Sequence, residues 1–409
     1  MPTYNMRKSI KLSLKTTTAK MERTNYNTMK QVSEENASAA EDAPVATEGH
    51  TPNPPDDEYP DGGATAWIQL FGCFCSFFAA LSMMNSVGVY QDWISQNQLK
   101  GISPGKVGWI FGFYNFFSFF AGLPLGPIFD SRGPRGLSFC GTILLVATYL
   151  ALGNCNEYWQ FFICFGLLGS LSTCLFFTSA IGTVQHWFLR RRALATGMAI
   201  SGGSVGGIVS PLILSALIPK VGFTWTMRIM ALVMAPFAVA GWIIMRGRLP
   251  SCTSKSRKLS FMPDLRVLLT TRMSIMTIGA LFIELGLFIP LTYVASYAVS
   301  HGMSTKVAYR MVTLLNVGSL LGRWLPGWAG DKMGRFNAQI IALVLCLVSI
   351  LGIWLPTGHS VAGLTAFVIL FGLGSGSGIS LVPVCIGQLC KTEDYGKTFT
   401  AVYSIGSFG

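Results

Sequence analysis

From residue 64 onward, long apolar stretches alternate with short polar ones. The apolar stretches fall at 64–90, 107–129, 137–153, 160–185, 193–218, 226–245, 272–299, 309–330, 338–355 and 361–389, and another starts near Thr398. A helix needs ~20 apolar residues to cross ~30 Å of hydrocarbon, so the pattern predicts successive spanning helices. Residues 246–271 are rich in Ser, Lys and Arg and read as a linker between two helical bundles, 64–245 and 272–409. Residues 1–63 hold no apolar run, neither a signal peptide nor a span, and are expected to form a disordered tail.

Composition agrees with a membrane protein, since the chain is 51% hydrophobic and 12% charged, whereas soluble domains are about a quarter charged. The net charge of +12 is scattered between apolar runs, which argues against a nucleic-acid groove. Within the tail the charge is segregated: residues 1–30 carry seven bases against Glu22, and residues 31–63 carry nine acids and no Lys or Arg. A basic, hydroxyl-rich start resembles a transit peptide, but the acidic block and the spans behind it favour a plain cytosolic tail. Polar segments after the even-numbered stretches hold sixteen Lys or Arg and the opposite ones six. Because Lys and Arg accumulate on the cytosolic side, the amino terminus is expected there. Cysteines such as Cys73, Cys174 and Cys385 sit in apolar stretches without metal-ligand spacing and read as small hydrophobes.

A repeat narrows the reading. The segment after the second stretch, GPIFDSRGPR, and that after the eighth, GWAGDKMGR, share Gly, three residues, Asp, two residues, Gly. Gly126, Asp130, Gly133 and Arg135 thus correspond to Gly327, Asp331, Gly334 and Arg335. Equivalent places on one side of the membrane indicate a parallel repeat. Each Asp can pair with a nearby Arg or accept from a helix amino terminus, which suits a conformational switch. In the fifth stretch, Arg190, Arg191 and Arg192 are expected to meet anionic lipid headgroups, and Gly197, Gly202 and Gly206 to form a packing seam.

These residues resemble the major facilitator superfamily, whose signature loop has this repeated pattern. PDGGATAW at 60–67 and WFLRRRALATGMAISGGSVGG at 187–207 look like its monocarboxylate transporter branch, particularly the fungal members. The resemblance implies an all-α membrane fold of two six-helix bundles and transport of a small organic solute. It also implies that the second bundle is incomplete, the chain being a fragment or a truncated product. Plasma membrane is the expected location, with the vacuolar membrane as alternative.

Only Glu284 and Arg323 are ionisable residues placed deep within a stretch, a position that is costly in hydrocarbon and normally faces a cavity. Asn316, Ser319 and Arg323 share one helical face that offers a cation and hydrogen bonds to a carboxylate. The resemblance implies that Arg323 binds the substrate carboxylate; an ion pair with Glu284 is the structural alternative. Characterised animal members carry an acidic residue one turn before that Arg and a Lys late in the first helix, where this chain has Ser319 and Asn85 or Met84. Glu284 is left as the candidate proton carrier, and uncoupled transport is the other possibility. Asn85 and Tyr293 complete the candidate binding set, with further hydroxyls and aromatics (Tyr114, Asn115, Ser118, Thr173) that suit a larger polar solute as well as a small acid.

Other classes find less support. The four His lie in the tail or near loops, no HExxH, GxSxG or P-loop is present, and no cofactor or metal is called for. GLGSGSG at 372–378 lies inside an apolar stretch with no strand before it, so it is no dinucleotide fingerprint. A channel would obey the same topology rule, and a non-transporting sensor would be expected to carry a large cytosolic domain.

Overall fold

The computed structural model describes residues 59–248 and 265–408. The readings placed on residues 1–58 and on most of the linker lie outside that range. The described residues form a helical protein with short connections. The helices are α1 (Gly63–Asn85, continued by Val87–Gln96), α2 (Gly105–Arg132), α3 (Pro134–Leu152) and α4 (Tyr158–Trp187). The continuous helical run Arg192–Ile244 kinks at Gly222 (φ 79°) and divides there into α5 (192–221) and α6 (223–244). Then follow α7 (Thr271–Ser300), α8 (Thr305–Met333), α9 (Arg335–Thr357), α10 (Val361–Leu389) and α11 (Tyr395–Gly406). Every apolar stretch is a helix, with ends within a few residues of the expected ones.

Among the described residues eight helical runs, with Arg192–Ile244 counted once, are long and apolar enough to cross a membrane. α8 is 29 residues long but carries Lys306, Arg310, Arg323, Asp331 and Lys332. Polar starts fix several helix ends: the Ser304 hydroxyl accepts from Val307 N at 3.4 Å and Ser360 from Gly363 N at 3.0 Å, each satisfying a donor that the first turn leaves open.

Small residues let backbones approach where lipid supplies little drive for burial. On α5 they serve two neighbours. Gly202, Gly203 and Gly206 lie against Phe74, Leu81 and Phe78 of α1, while Gly197 and Gly207 lie against Arg323 and Asn316 of α8. The Gly-Ser run of α10 has a packing role: a Cβ added at Gly372 or Gly376 would stand 2.4 Å from the Leu315 or Ser319 carbonyl oxygen of α8. Pro211 lies within α5, and the backbone there keeps helical dihedrals.

Candidate functional site

Helices α1, α2, α4, α7, α8, α10 and α11 enclose a cavity. Its polar lining comes from Asn85, Asn115, Glu284, Thr292, Arg323 and Tyr403; its apolar lining includes Met84, Phe119, Phe177 and Phe288. Glu284 is 4% exposed and Arg323 1% exposed. Arg323 Nη1 donates to the Ile200 carbonyl of α5, which fixes the guanidinium, while its Nε and Glu284 Oε2 have no hydrogen-bond partner. Among the described residues no ion pair joins Glu284 to Arg323; the ion pairs there are Arg335–Asp331 and Lys397–Asp394.

The other expected binding residues divide. Asn85 lines the cavity, its amide donating to Gly203 O at 2.7 Å. Asn316 and Ser319 are buried at 3% and 4% but turn to α5: Asn316 packs on Gly207, and Ser204 donates to Ser319 Oγ at 3.4 Å. Their shared face with Arg323 is real, yet most of that face is a helix seam, and only Arg323 reaches the cavity. Tyr293 does not line this cavity: it is 56% exposed, and its neighbour Thr292 takes the lining position, one residue turning a helix by about 100°. Tyr114 and Thr173 satisfy each other at 2.9 Å, and Ser118 donates to Tyr114 O, so these hydroxyls are internal struts.

Below the cavity lies the end of the molecule that carries most Lys and Arg, here called the basic end. There the repeated loops act on two helix starts. Asp130 accepts from Gly396 N and Lys397 N, both at 2.8 Å, at the start of α11. Asp331 accepts from Ala193 N at 3.0 Å and Leu194 N at 2.9 Å, at the start of α5. Each carboxylate meets open backbone donors at the positive end of a helix dipole. Gly126 and Gly327 permit the approach, since an added Cβ would lie 2.4 Å from Gly396 O or 2.9 Å from Ala193 O. Gly133 (φ 75°) and Gly334 (φ 98°) take the left-handed turn that ends each first helix. Of the two arginines, Arg335 joins in, donating to Leu189 O at 2.5 Å and standing 3.7 Å from Asp331; Arg135 is exposed and lies outside the contact.

Two features escaped the sequence reading. Arg192, expected at headgroups with exposed Arg190 and Arg191, is buried; it donates to Phe188 O, Gln185 O and Gly387 O at 2.8, 3.1 and 3.2 Å, tying α5 to α10. The second is a strap before α1. Asp61 Oδ1 accepts from Leu189 N (2.7 Å) and Arg190 N (2.8 Å), with Arg191 N at 3.4 Å. Tyr59 is buried, shares a hydrogen bond with Thr392 Oγ1 at 2.7 Å, and lies under the Arg248 guanidinium at 4.8 Å. Trp67 packs on Phe188 at 5.6 Å, so the segments at 60–67 and 187–207 touch directly. At the opposite end, Tyr309 of α8 donates to Asp92 Oδ2 at 2.5 Å.

The sequence profile of the Major Facilitator Superfamily matches residues 72–409. This chain belongs to that superfamily. Relatives include the "Riboflavin transporter MCH5" of Saccharomyces cerevisiae, 32% identical over 372 residues, covering 86% of this chain and 71% of the relative. The "Aspyridones efflux protein apdF" of Emericella nidulans is 31% identical over 345 residues, covering 83% and 68%. Among solved structures, that of the human organic anion transporter MFSD10 (TETRAN) is similar with a TM-score of 0.64 at 14% identity, covering 87% of this chain and 91% of that one, and it supports the fold. Family and relatives make this a multi-pass membrane transporter and not an enzyme.

Proposed function

We propose that the chain carries a small organic solute bearing an anionic group by alternating access, with Arg323 holding that group and Glu284 exchanging a proton. The observation that supports this best is that two buried ionisable side chains face one cavity, each with an atom lacking a partner, without pairing with each other. A carboxylate has the planar geometry that a guanidinium binds well, and burial makes such charges unfavourable unless a ligand or proton answers them. The resemblance to monocarboxylate transporters points the same way. The relatives' names supply the alternatives for cargo, transport of a vitamin such as riboflavin or efflux of a secondary metabolite.

In this reading the basic end faces the cytosol in the plasma membrane, and Arg190 and Arg191 meet lipid headgroups. Residues 64–245 and 272–409 act as two bundles that rock about the cavity. The Asp130 and Asp331 contacts hold the cytosolic end shut and must break for it to open. Reconstituting wild-type and Glu284→Gln proteins in vesicles with an imposed pH gradient tests the coupling. The variant is expected to lose pH-driven accumulation and to keep exchange of substrate for substrate; pH-driven accumulation at wild-type level would reject the proton role.

A further inference from the structure

The cavity lining mixes aromatic rings with polar groups. Phe119 of α2, Phe177 of α4, Phe288 of α7 and Tyr403 of α11 form a connected group of rings along it. Phe119 meets Phe177, Phe288 and Tyr403 at centroid separations of 5.5, 6.2 and 5.4 Å, and Phe177 meets Tyr403 at 5.9 Å. The same lining holds four polar atoms with no hydrogen-bond partner: Asn115 Oδ1, Glu284 Oε2, Arg323 Nε and the Tyr403 hydroxyl. Glu284, Arg323 and Tyr403 are each more than nine-tenths buried. Buried polar groups in proteins are nearly always satisfied, and leaving one unmade is unfavourable. Of the fifteen such atoms among the described residues, these four line one cavity, where a bound solute can supply the missing partners.

The chemistry of these groups describes the solute. Arg323 Nε donates only, Asn115 Oδ1 accepts only, the Tyr403 hydroxyl does either, and Glu284 accepts when ionised and can donate when protonated. A two- or three-carbon aliphatic acid answers Arg323 and leaves the other groups and the rings without partners. A flat acid carrying a second polar group on its ring answers more of them, and its ring stacks against Phe119 and Phe288 in the offset or edge-on arrangements that aromatic pairs prefer.

Resting on the organic-anion reading above, we propose that the cavity selects flat aromatic or conjugated acids with a polar ring edge over short aliphatic acids, and that Tyr403 is the residue that sets this choice. Tyr403 contributes both kinds of group, through its ring and its hydroxyl. Its helix also adjoins Glu284, since a Cβ added at Gly406, one turn further on, would lie 3.7 Å from Glu284 Cγ.

The test is counterflow uptake by the full chain in vesicles with two probes of equal charge, pyruvate and 4-hydroxybenzoate. Wild type is expected to favour 4-hydroxybenzoate by roughly tenfold or more in apparent affinity, the scale of one or two hydrogen bonds and a ring contact. Tyr403→Phe keeps the ring, so its fold is preserved; it should lose most of that preference by weakening 4-hydroxybenzoate and sparing pyruvate. Phe288→Leu gives a second variant, expected to shift the same ratio in the same direction. Equal affinities in wild type, or a Tyr403→Phe protein that weakens both probes alike, would overturn the selection proposal and leave anion transport standing. Uptake of neutral riboflavin with no binding of either acid would instead overturn the anion reading, and this proposal with it.

Discussion

At the residue scale, the two deep charges could be found from sequence because hydropathy makes them exceptions. What they touch could not. Spacing put Asn316, Ser319 and Arg323 on one face, but α5 covers that face with Gly207 and Ser204, and a single helix carries no record of which neighbour it meets. Tyr293 shows the same gap at the level of one residue, since Thr292 takes the cavity position. The glycines are sharper indicators. A Cβ at Gly197 would stand 2.1 Å from Arg323 O, whereas one at Gly112 would have nothing within 4 Å. Gly197→Ala should therefore destabilise the detergent-solubilised protein by about 1–3 kcal/mol through overpacking, and Gly112→Ala, in open space on a helix, should leave melting unchanged or raise it slightly. Equal melting temperatures for the two variants would show that the α5–α8 seam has room to spare.

At the element scale, helices were legible because each apolar run must satisfy its own backbone in lipid. The repeated loop was legible as a motif, and its partners were not: nothing in GPIFDSRGPR names Gly396 and Lys397 at the start of α11. The strap was missed because its residues are polar, short and outside any periodic pattern. Asp130→Asn and Asp331→Asn replace a charged acceptor at a helix start with a neutral one, so the closed basic end should lose stability. We expect slower turnover with nearly unchanged equilibrium affinity for substrate, read by comparing transport with binding in the same preparation. Tyr59→Ala, which removes the Thr392 hydrogen bond and the ring under Arg248, should raise labelling of a cysteine introduced at the basic end. A large affinity loss with normal turnover in the Asp variants, or unchanged labelling in Tyr59→Ala, would count against these roles.

At the scale of the whole molecule, the fold followed from the order of apolar stretches and the repeat, and the family match over residues 72–409 agrees with it. The cavity was the least legible feature, since it draws on seven helices from both ends of the chain. Its charged members and Asn85 and Asn115 stood out beforehand; Phe119, Phe177 and Tyr403 looked like any other apolar or aromatic residue of a span. The central claim is that Arg323 binds an anionic group of the solute inside this cavity. Its most direct test is equilibrium binding of a carboxylate substrate and of its neutral amide to wild-type and Arg323→Lys proteins of equal folded yield. Lysine keeps the charge and loses the planar fork, so carboxylate affinity should fall by roughly tenfold or more while the amide is little affected. Carboxylate affinity at the wild-type level in Arg323→Lys would contradict the account.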